Sequence, residues 1–530
     1  MSFRRVGWVT AIALATWLEL SCGQVYRPVV IPIGVTAPDP QNFHAVFGIS
    51  ANVPFSPGTA LQIDVSGDSE IGSANMGVNP THAAILPNNS RVFVASAGSL
   101  FQGDSDVVTA FFPAGDSSSA TGLSAPTTIT LPNIGPINPS TSQPFLCSYL
   151  PDFVATSQNT SVYVANYGVE NDPNCNFSST DSVATLNPAQ GAIANIGYLP
   201  AGSHPVAMIE TTDTINLYVL NQGTNTVTDL SPTDLSTLAT IPVGNTPAWA
   251  AVRPDNQRVY VVTQGDGQLY TIRTDTNAVL PGSPQSVGGA GANFVLYDKI
   301  LSRLYVTNPN AGNVYVFDAT TDPPTPMATL TVPAPPIVAP LATVCANSTC
   351  TYSSVMPVSI AALSDGTRFY VASYVTGTAS SGSSSTCPDA NVSAAAGCII
   401  PQVTVYDALT LTVKTTIFPL LPPVATAAGS TAYPFALTPV SFCAPVIPYT
   451  PAGARFRMSA AAAVGSSRVY ASMCDGGSVA VIAAATDTIA TGVNAADTLV
   501  NDLLAPFSAA PAQPNGEPLP QSPVFLLTGQ

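Results

Sequence analysis

The sequence predicts an all-β fold, a single β-propeller of four-stranded blades, with eight blades favoured and seven the alternative. A strand signature that recurs along the chain is the first sign. It reads Leu304-Tyr305-Val306-Thr307-Asn308, Val162-Tyr163-Val164-Ala165-Asn166, Leu217-Tyr218-Val219-Leu220-Asn221 and Val259-Tyr260-Val261-Val262-Thr263, with further copies at Val92 to Ser96, Phe369 to Ser373 and Val469 to Ser472. The second is composition: 8% charged residues beside 38 Gly and 50 Pro, which suits short strands joined by many turns and not helices. The third is the spacing of turn signals. From Asn245 to Val279 four strand-like segments alternate with Pro254-Asp255-Asn256, Gly265-Asp266-Gly267 and Thr274-Asp275-Thr276-Asn277. Four strands in about 42 residues is one propeller blade.

The same order recurs at His82 to Phe112, Asp152 to Leu186, His204 to Val243, Ala292 to Leu330, Val358 to Leu411 and Met458 to Thr491. An incomplete unit stands in front, with strands at His44 to Ala51, Thr59 to Val65 and Glu70 to Met76. Its missing first strand is expected from Pro523 to Leu527, since a ring left open exposes sheet edges. The predicted organisation is therefore residues 1–21 as a signal segment, 22–42 as a Pro-rich tether and 43–530 as the propeller.

These units resemble the YVTN-repeat β-propellers of secreted and surface-layer proteins of bacteria and archaea. The literal motif stands at Tyr305 to Asn308, and third strands end in Val316-Phe317-Asp318, Val405-Tyr406-Asp407, Gln62-Ile63-Asp64 and Thr228-Asp229. The resemblance covers most of His44 to Thr491. It implies the fold and says little of activity, because propellers host unrelated functions.

Arg4 and Arg5 flank a short apolar run, Val6 to Leu18, followed by Glu19-Leu20-Ser21-Cys22-Gly23. The run is too short to span a bilayer. A Cys closing such a segment resembles a bacterial lipoprotein signal, which implies lipidation of Cys22 and anchoring in the envelope, at the outer membrane or cell surface. Glu19 departs from that pattern, and plain secretion is the alternative. The remaining cysteines are even in number and fall as neighbours: Cys147 and Cys175, Cys345 and Cys350, Cys387 and Cys398, Cys443 and Cys474. In an oxidising compartment this suggests four local disulfides. Zinc sites would show two-residue spacers or nearby His ligands, so no metal is expected.

The formal net charge is −16, and Lys299 and Lys414 are the only lysines. Nucleic-acid binding through counterion release needs a Lys/Arg surface, which this chain lacks. No cofactor motif is present either: Gly288-Gly289-Ala290-Gly291 opens no helix. Trp249, the one Trp outside the N-terminal segment, is expected to pack between blades. The five polar residues on or near first strands that could line a central channel are His82, Asp152, His204, Glu210 and Arg457. His82 and His204 each sit near a Pro at the start of a blade and are read as equivalent.

Strand parity adds a functional expectation. Connections after the second and fourth strands of each blade leave one face, and the others leave the opposite face. The long stretches Ala114 to Leu146, Gly168 to Asp181, Thr321 to Met356, Thr376 to Gln402 and Phe418 to Arg455 all read as members of the first class, and the eight cysteines lie in or beside them. Long loops on a rigid scaffold are where binding resides. The favoured reading is a non-enzymatic, lipid-anchored propeller that binds a protein or glycan of the envelope, or serves as an envelope scaffold. The alternative is a lactonase-like propeller hydrolase with a polar or metal site in its channel.

Overall fold

The computed structural model describes residues 45–529 apart from 52–56, 66–68, 99–106, 114–125, 133–136, 138, 141, 143–146, 159–160, 173–174, 177, 335–349, 353, 380–397, 418–423, 426–430, 433–456, 464, 475–477 and 490–521. Cys22, Cys345, Cys387 and Cys443 fall outside these residues, as do the signal and tether segments.

Eight blades form a ring. Blade one runs outward from Ser522–Thr528 through Ala45–Ala51 and Pro57–Asp64 to Ser69–Val78. Its innermost strand is thus the C-terminal one, paired antiparallel with the first strand of the chain from Val46↔Thr528 to Ala51↔Ser522. Blade two comprises Pro80–Ile85, Val92–Ser96, Val107–Phe111 and Thr127–Thr130, and blade three Pro151–Thr156, Val162–Asn166, Ser182–Asn187 and Ala192–Tyr198. Blade four has Pro205–Glu210, Leu217–Asn221, Thr226–Leu230 and Thr237–Pro242; blade five has Pro247–Val252, Arg258–Thr263, Gln268–Arg273 and Ala278–Val279. Blade six has Phe294–Asp298, Arg303–Asn308, Asn313–Asp318 and Thr325–Thr331, blade seven Met356–Ala362, Arg368–Ala379, Cys398–Asp407 and Val413–Ile417, and blade eight Met458–Ala462, Arg468–Met473, Ser478–Ala483 and Thr488–Ile489. Each inner strand touches the inner strand of the next blade all the way round.

The signature strand is the second of each blade, and its composition follows from what covers it. Every residue of Val162–Asn166 and of Leu217–Asn221 is buried, because a blade sits on each side of the sheet. Polar-out alternation therefore disappears. The second residue of the signature is the wedge between blades. Phe47 packs with Val92 and Val94 of the next blade, Phe93 with Val162 and Val164, Tyr163 with Leu217 and Val219, and Tyr218 with Val259 and Val261. Tyr260 then meets Leu304 and Val306, Tyr305 meets Phe369 and Val371, Tyr370 meets Val469 and Ala471, and Tyr470 meets Val46. All eight seams repeat one arrangement: an aromatic ring on the first or third position of its neighbour, aliphatic at every seam except where Tyr305 stacks on Phe369. A ring buries more area than any aliphatic side chain and costs little rotamer entropy.

A second device joins the blades at their rims. An Arg directly before or at the start of the signature reaches the turn between third and outer strands of the next blade. Arg91 Nη1 donates to Pro188 O, Arg303 Nη1 to Ala408 O and Arg368 Nη1 to Ala484 O. Arg258 Nη2 lies 2.7 Å from Asp322 Oδ2. The recurring Arg is visible in the sequence, but its reach across blades is a property of the ring.

Inner strands all begin at one end of the ring, here the looped end, and finish at the other, the turn end. The parity reading needs correction in two places. Thr127–Thr130 is the outer strand of blade two and falls inside Ala114 to Leu146, while Thr325–Thr331 falls inside Thr321 to Met356. Each stretch is therefore two connections that leave opposite ends. Thr127–Thr130 escaped notice because only Ile129 of its four residues is buried. Cys147 precedes the inner strand of blade three and Cys175 lies between its second and third strands; the two are disulfide-bonded at the looped end. Cys474 is also a disulfide cysteine, its partner outside the described residues. Cys350 and Cys398 lie opposite Ala379 and Gly377 of blade seven's long second strand.

Candidate functional site

The channel along the ring axis is the natural place to seek a site. Each blade places one inner-strand residue opposite the fourth residue of its signature strand. These eight are Phe525, His82, Phe153, Ala207, Trp249, Phe294, Ser359 and Ser459. Five carry rings, and the rings meet across the axis. His82 stacks on Phe153 with centroids 3.7 Å apart and lies 4.3 Å from Phe525. It also meets Trp249 of blade five edge-on at 5.9 Å, a contact between blades that are not neighbours. Trp249 in turn lies 5.5 Å from Phe153 and 5.1 Å from Phe294. Ala207, with no ring, lets Phe153 and Trp249 meet in front of blade four. An aromatic septum thus crosses the channel. Trp249, expected between blades, faces the axis.

Ser359 and Ser459 leave a gap beside the septum, a cavity of ≈ 30 Å³ bordered also by Thr81 and Asn293. That volume holds a water or two. The polar groups around it are engaged in joining inner strands. Thr81 Oγ1 donates to Asp152 O at 2.6 Å, and His82 Nδ1 bonds Val154 O at 3.0 Å. Asn293 Nδ2 donates to Val358 O, Ser359 Oγ accepts from Ala460 N, and Ser459 Oγ accepts from Leu526 N. Among the described residues, no carboxylate borders the cavity. Among the described residues, no three His, Cys, Asp or Glu side chains converge as a metal site.

The five sequence candidates separate. His82 belongs to the septum. Glu210 ends the inner strand of blade four at the turn end, where Tyr163 OH donates to it at 2.9 Å; burial raises the Glu210 carboxyl above its ordinary range. Arg457 sits at the looped end with its guanidinium 5.5 Å from the Tyr374 ring. Asp152, fully buried, and His204 both flank Tyr167. The two histidines are not equivalent. His204 precedes Pro205 in the left-handed conformation shared by Asn79, Leu150 and Thr246 before their own prolines, whereas His82 lies two residues past Pro80.

His204 has a partner that sequence reasoning missed. Its Nδ1 lies 3.2 Å from Asp181 Oδ1 and 3.0 Å from Tyr167 O, and its ring stacks on Tyr167 at 4.4 Å. Asp181 is fully buried and accepts from Gly202 N at 2.9 Å, His204 N at 3.0 Å and Ser179 Oγ. Burial pulls its pKa up, but the His204 and Ser179 bonds outweigh this and hold it below the ordinary value. The Asp181 bond raises His204 against the opposing effect of burial. Burial pushes the Tyr167 phenol up to about 12, helped by Asp152 and Asp181. The arrangement orients one imidazole on the looped end.

The pair gives a pH dependence whose sign is fixed. A depressed Asp181 stabilises above its unfolded pKa and loses this as pH falls through its folded value. A raised His204 stabilises fully below its unfolded pKa and loses this as pH rises through its folded value. The contribution is greatest between about pH 4 and 6.5. His204→Ala is expected to cost about 1–2 kcal/mol in that window and less at pH 8, measured by urea unfolding at both pH values. An equal cost at both would show that the charge state plays no part.

No protein-family model matches the chain, and no curated protein matches it. Solved structures do. The periplasmic gluconolactonase PpgL of Pseudomonas aeruginosa is 15% identical with TM-score 0.46, over 73% of this chain and 97% of that one. A putative 6-phosphogluconolactonase from Bacteroides fragilis is 13% identical with TM-score 0.44, over 72% and 97%. A β-propeller domain from Myceliophteria thermophila is 8% identical with TM-score 0.43, over 76% and 95%. Likeness at this level concerns the fold and assigns no activity.

Proposed function

We propose that this protein is a lipid-anchored, extracytoplasmic propeller of the YVTN-repeat kind that binds a protein or glycan of the envelope through its looped end and does no chemistry. The observation that carries this reading is the aromatic septum. It fills the channel with side chains that hold the ring together, so recognition falls to the looped end. The Cys147–Cys175 disulfide supports an oxidising compartment and stiffens that end. The chain also enters blade one at the opposite end, since Val46 pairs with Thr528, the last residue of an inner strand.

The test replaces residues 418–456, between blades seven and eight at the looped end, with a short turn. Melting should remain a single cooperative transition, lowered only by loss of Cys443, the expected partner of Cys474. Binding to isolated peptidoglycan or lipopolysaccharide should fall at least about tenfold. Unchanged binding would place recognition elsewhere. A second reading, a hydrolase, is favoured by one observation: an imidazole oriented by a buried carboxylate is the arrangement of a general base. Turnover of aldonolactones that His204→Gln abolishes without loss of fold would establish it over the first.

A further inference from the structure

We propose that the cavity over the septum binds the acetamido group of an N-acetylated amino sugar. This rests on the binding reading above and deepens it, by giving the looped end a ligand class.

The cavity opens toward the looped end. Its lining consists of septum residues and, in five blades, the residue one step before them in the chain, which is nearer the looped end. Among the described residues, none of the lining comes from the turn-end side of the septum. Consecutive residues of a strand ordinarily face opposite ways. Here Pro80, Pro357 and Pro523 stand at or next to the start of their inner strands, and the residue after each is bulged out of the pairing: Thr81, Val358 and Val524. A bulge re-aims its side chain, so these three join their septum neighbours around the cavity. The septum is the floor, and Val358, Met458 and Val524 make an apolar wall.

The polar chemistry of the lining fits one group. Ser359 and Ser459 are 6% and 7% exposed. Each hydroxyl accepts a backbone N–H, from Ala460 at 3.1 Å and from Leu526 at 3.4 Å. A hydroxyl also has a proton to donate. Neither proton has an acceptor among the described residues. The bond from Ala460 N sets the two hydroxyls side by side, because that amide directly follows Ser459. Two buried donors so placed match one carbonyl oxygen, and a buried donor left unanswered is costly. Asn293 Nδ2 donates to Val358 O at 3.0 Å and its Oδ1 accepts from Thr307 Oγ1 at 2.7 Å. The second lone pair of Oδ1 suits an amide N–H. The apolar wall suits a methyl. Carbonyl, N–H and methyl together are an acetamido group. Among the described residues no carboxylate, Lys or Arg lines the cavity, which favours this neutral group over a charged one. Room for a water or two is room for the carbonyl oxygen and the methyl, with the sugar ring left at the mouth. Water is the rival occupant, since it accepts the same two bonds. A sugar is favoured over a protein because an N-acetylated polysaccharide repeats the group along its length, whereas a polypeptide carries it only where it is acetylated.

Titration of the full chain with N-acetylglucosamine tests the proposal, read by calorimetry and by the fluorescence of Trp249, which borders the cavity. Saturable binding with a Kd on the order of 1 mM is expected. Glucosamine lacks the acetyl group, and N-propanoylglucosamine carries one carbon too many for the cavity. Each should bind at least roughly tenfold more weakly. The double variant Ser359→Ala, Ser459→Ala should keep a cooperative melt and bind about tenfold more weakly. If it does not fold, the three sugars on the wild-type chain decide alone. No saturable binding, equal binding of the three sugars, or a folded variant that binds like the wild type leaves water as the occupant and overturns the proposal. An N-acetylated dipeptide that binds as tightly as the sugar overturns the assignment to a glycan. Competition separates this proposal from the looped-end reading. Peptidoglycan binding that N-acetylglucosamine does not compete away removes the cavity as the site and leaves that reading standing. Binding of the sugar without binding of peptidoglycan or lipopolysaccharide keeps the cavity and removes the envelope partner.

Discussion

Deleting residues 522–530 is expected to abolish cooperative folding. That segment supplies the inner strand of blade one. Val524, Leu526 and Leu527 are between 3% and 8% exposed, and Phe525 closes the septum against His82. Burying four such side chains contributes about 6–10 kcal/mol, comparable with the whole stability of a domain. Loss also frees the edge of Ala45–Ala51 and opens the inner ring between blades eight and two. The truncated chain should aggregate, or melt broadly at a far lower temperature in calorimetry. A synthetic peptide covering Gln521 to Gln530, added in trans, should restore a sharp transition. Wild-type melting of the truncated chain would mean that the ring holds without its closing strand.

The signature strands were legible because each seam asks for the same thing. An aromatic wedge between aliphatic pairs leaves an identical trace at Phe93, Tyr163, Tyr218, Tyr260, Tyr305, Tyr370 and Tyr470. The closing strand was legible for a related reason: three strands without an inner partner require a fourth, and Pro523 to Leu527 was the one strand-like segment left over. The outer strands were harder. They face solvent and carry few buried residues, so the strand at Thr127–Thr130 reads as loop. The septum was not legible at all. Its eight positions lie far apart in sequence, one per blade, and only the ring brings His82 against Trp249. Asp181 was hidden differently. It closes a stretch that reads as an insertion, and nothing local marks it as the partner of His204 some twenty residues later.

The rim of the ring carries the second large effect. Arg368, at the start of blade seven's signature strand, lies 2.6 Å from Asp487 Oδ1 in the turn between third and outer strands of blade eight. Tyr370 OH donates to the same oxygen at 2.6 Å, and burial together with Asp487 raises its phenol well above the ordinary value. Asp487 is 8% exposed and Tyr370 is fully buried. Asp487→Ala therefore leaves a buried hydroxyl and a mostly buried guanidinium with one partner removed, at a cost of about 3–5 kcal/mol. Arg368→Ala alone should cost less, because Tyr370 still bonds the carboxylate. A double-mutant cycle read by urea unfolding should give a coupling of about 1–3 kcal/mol between positions 368 and 487. Were the two costs simply additive, Arg368 would be held across the seam by Ala484 O alone.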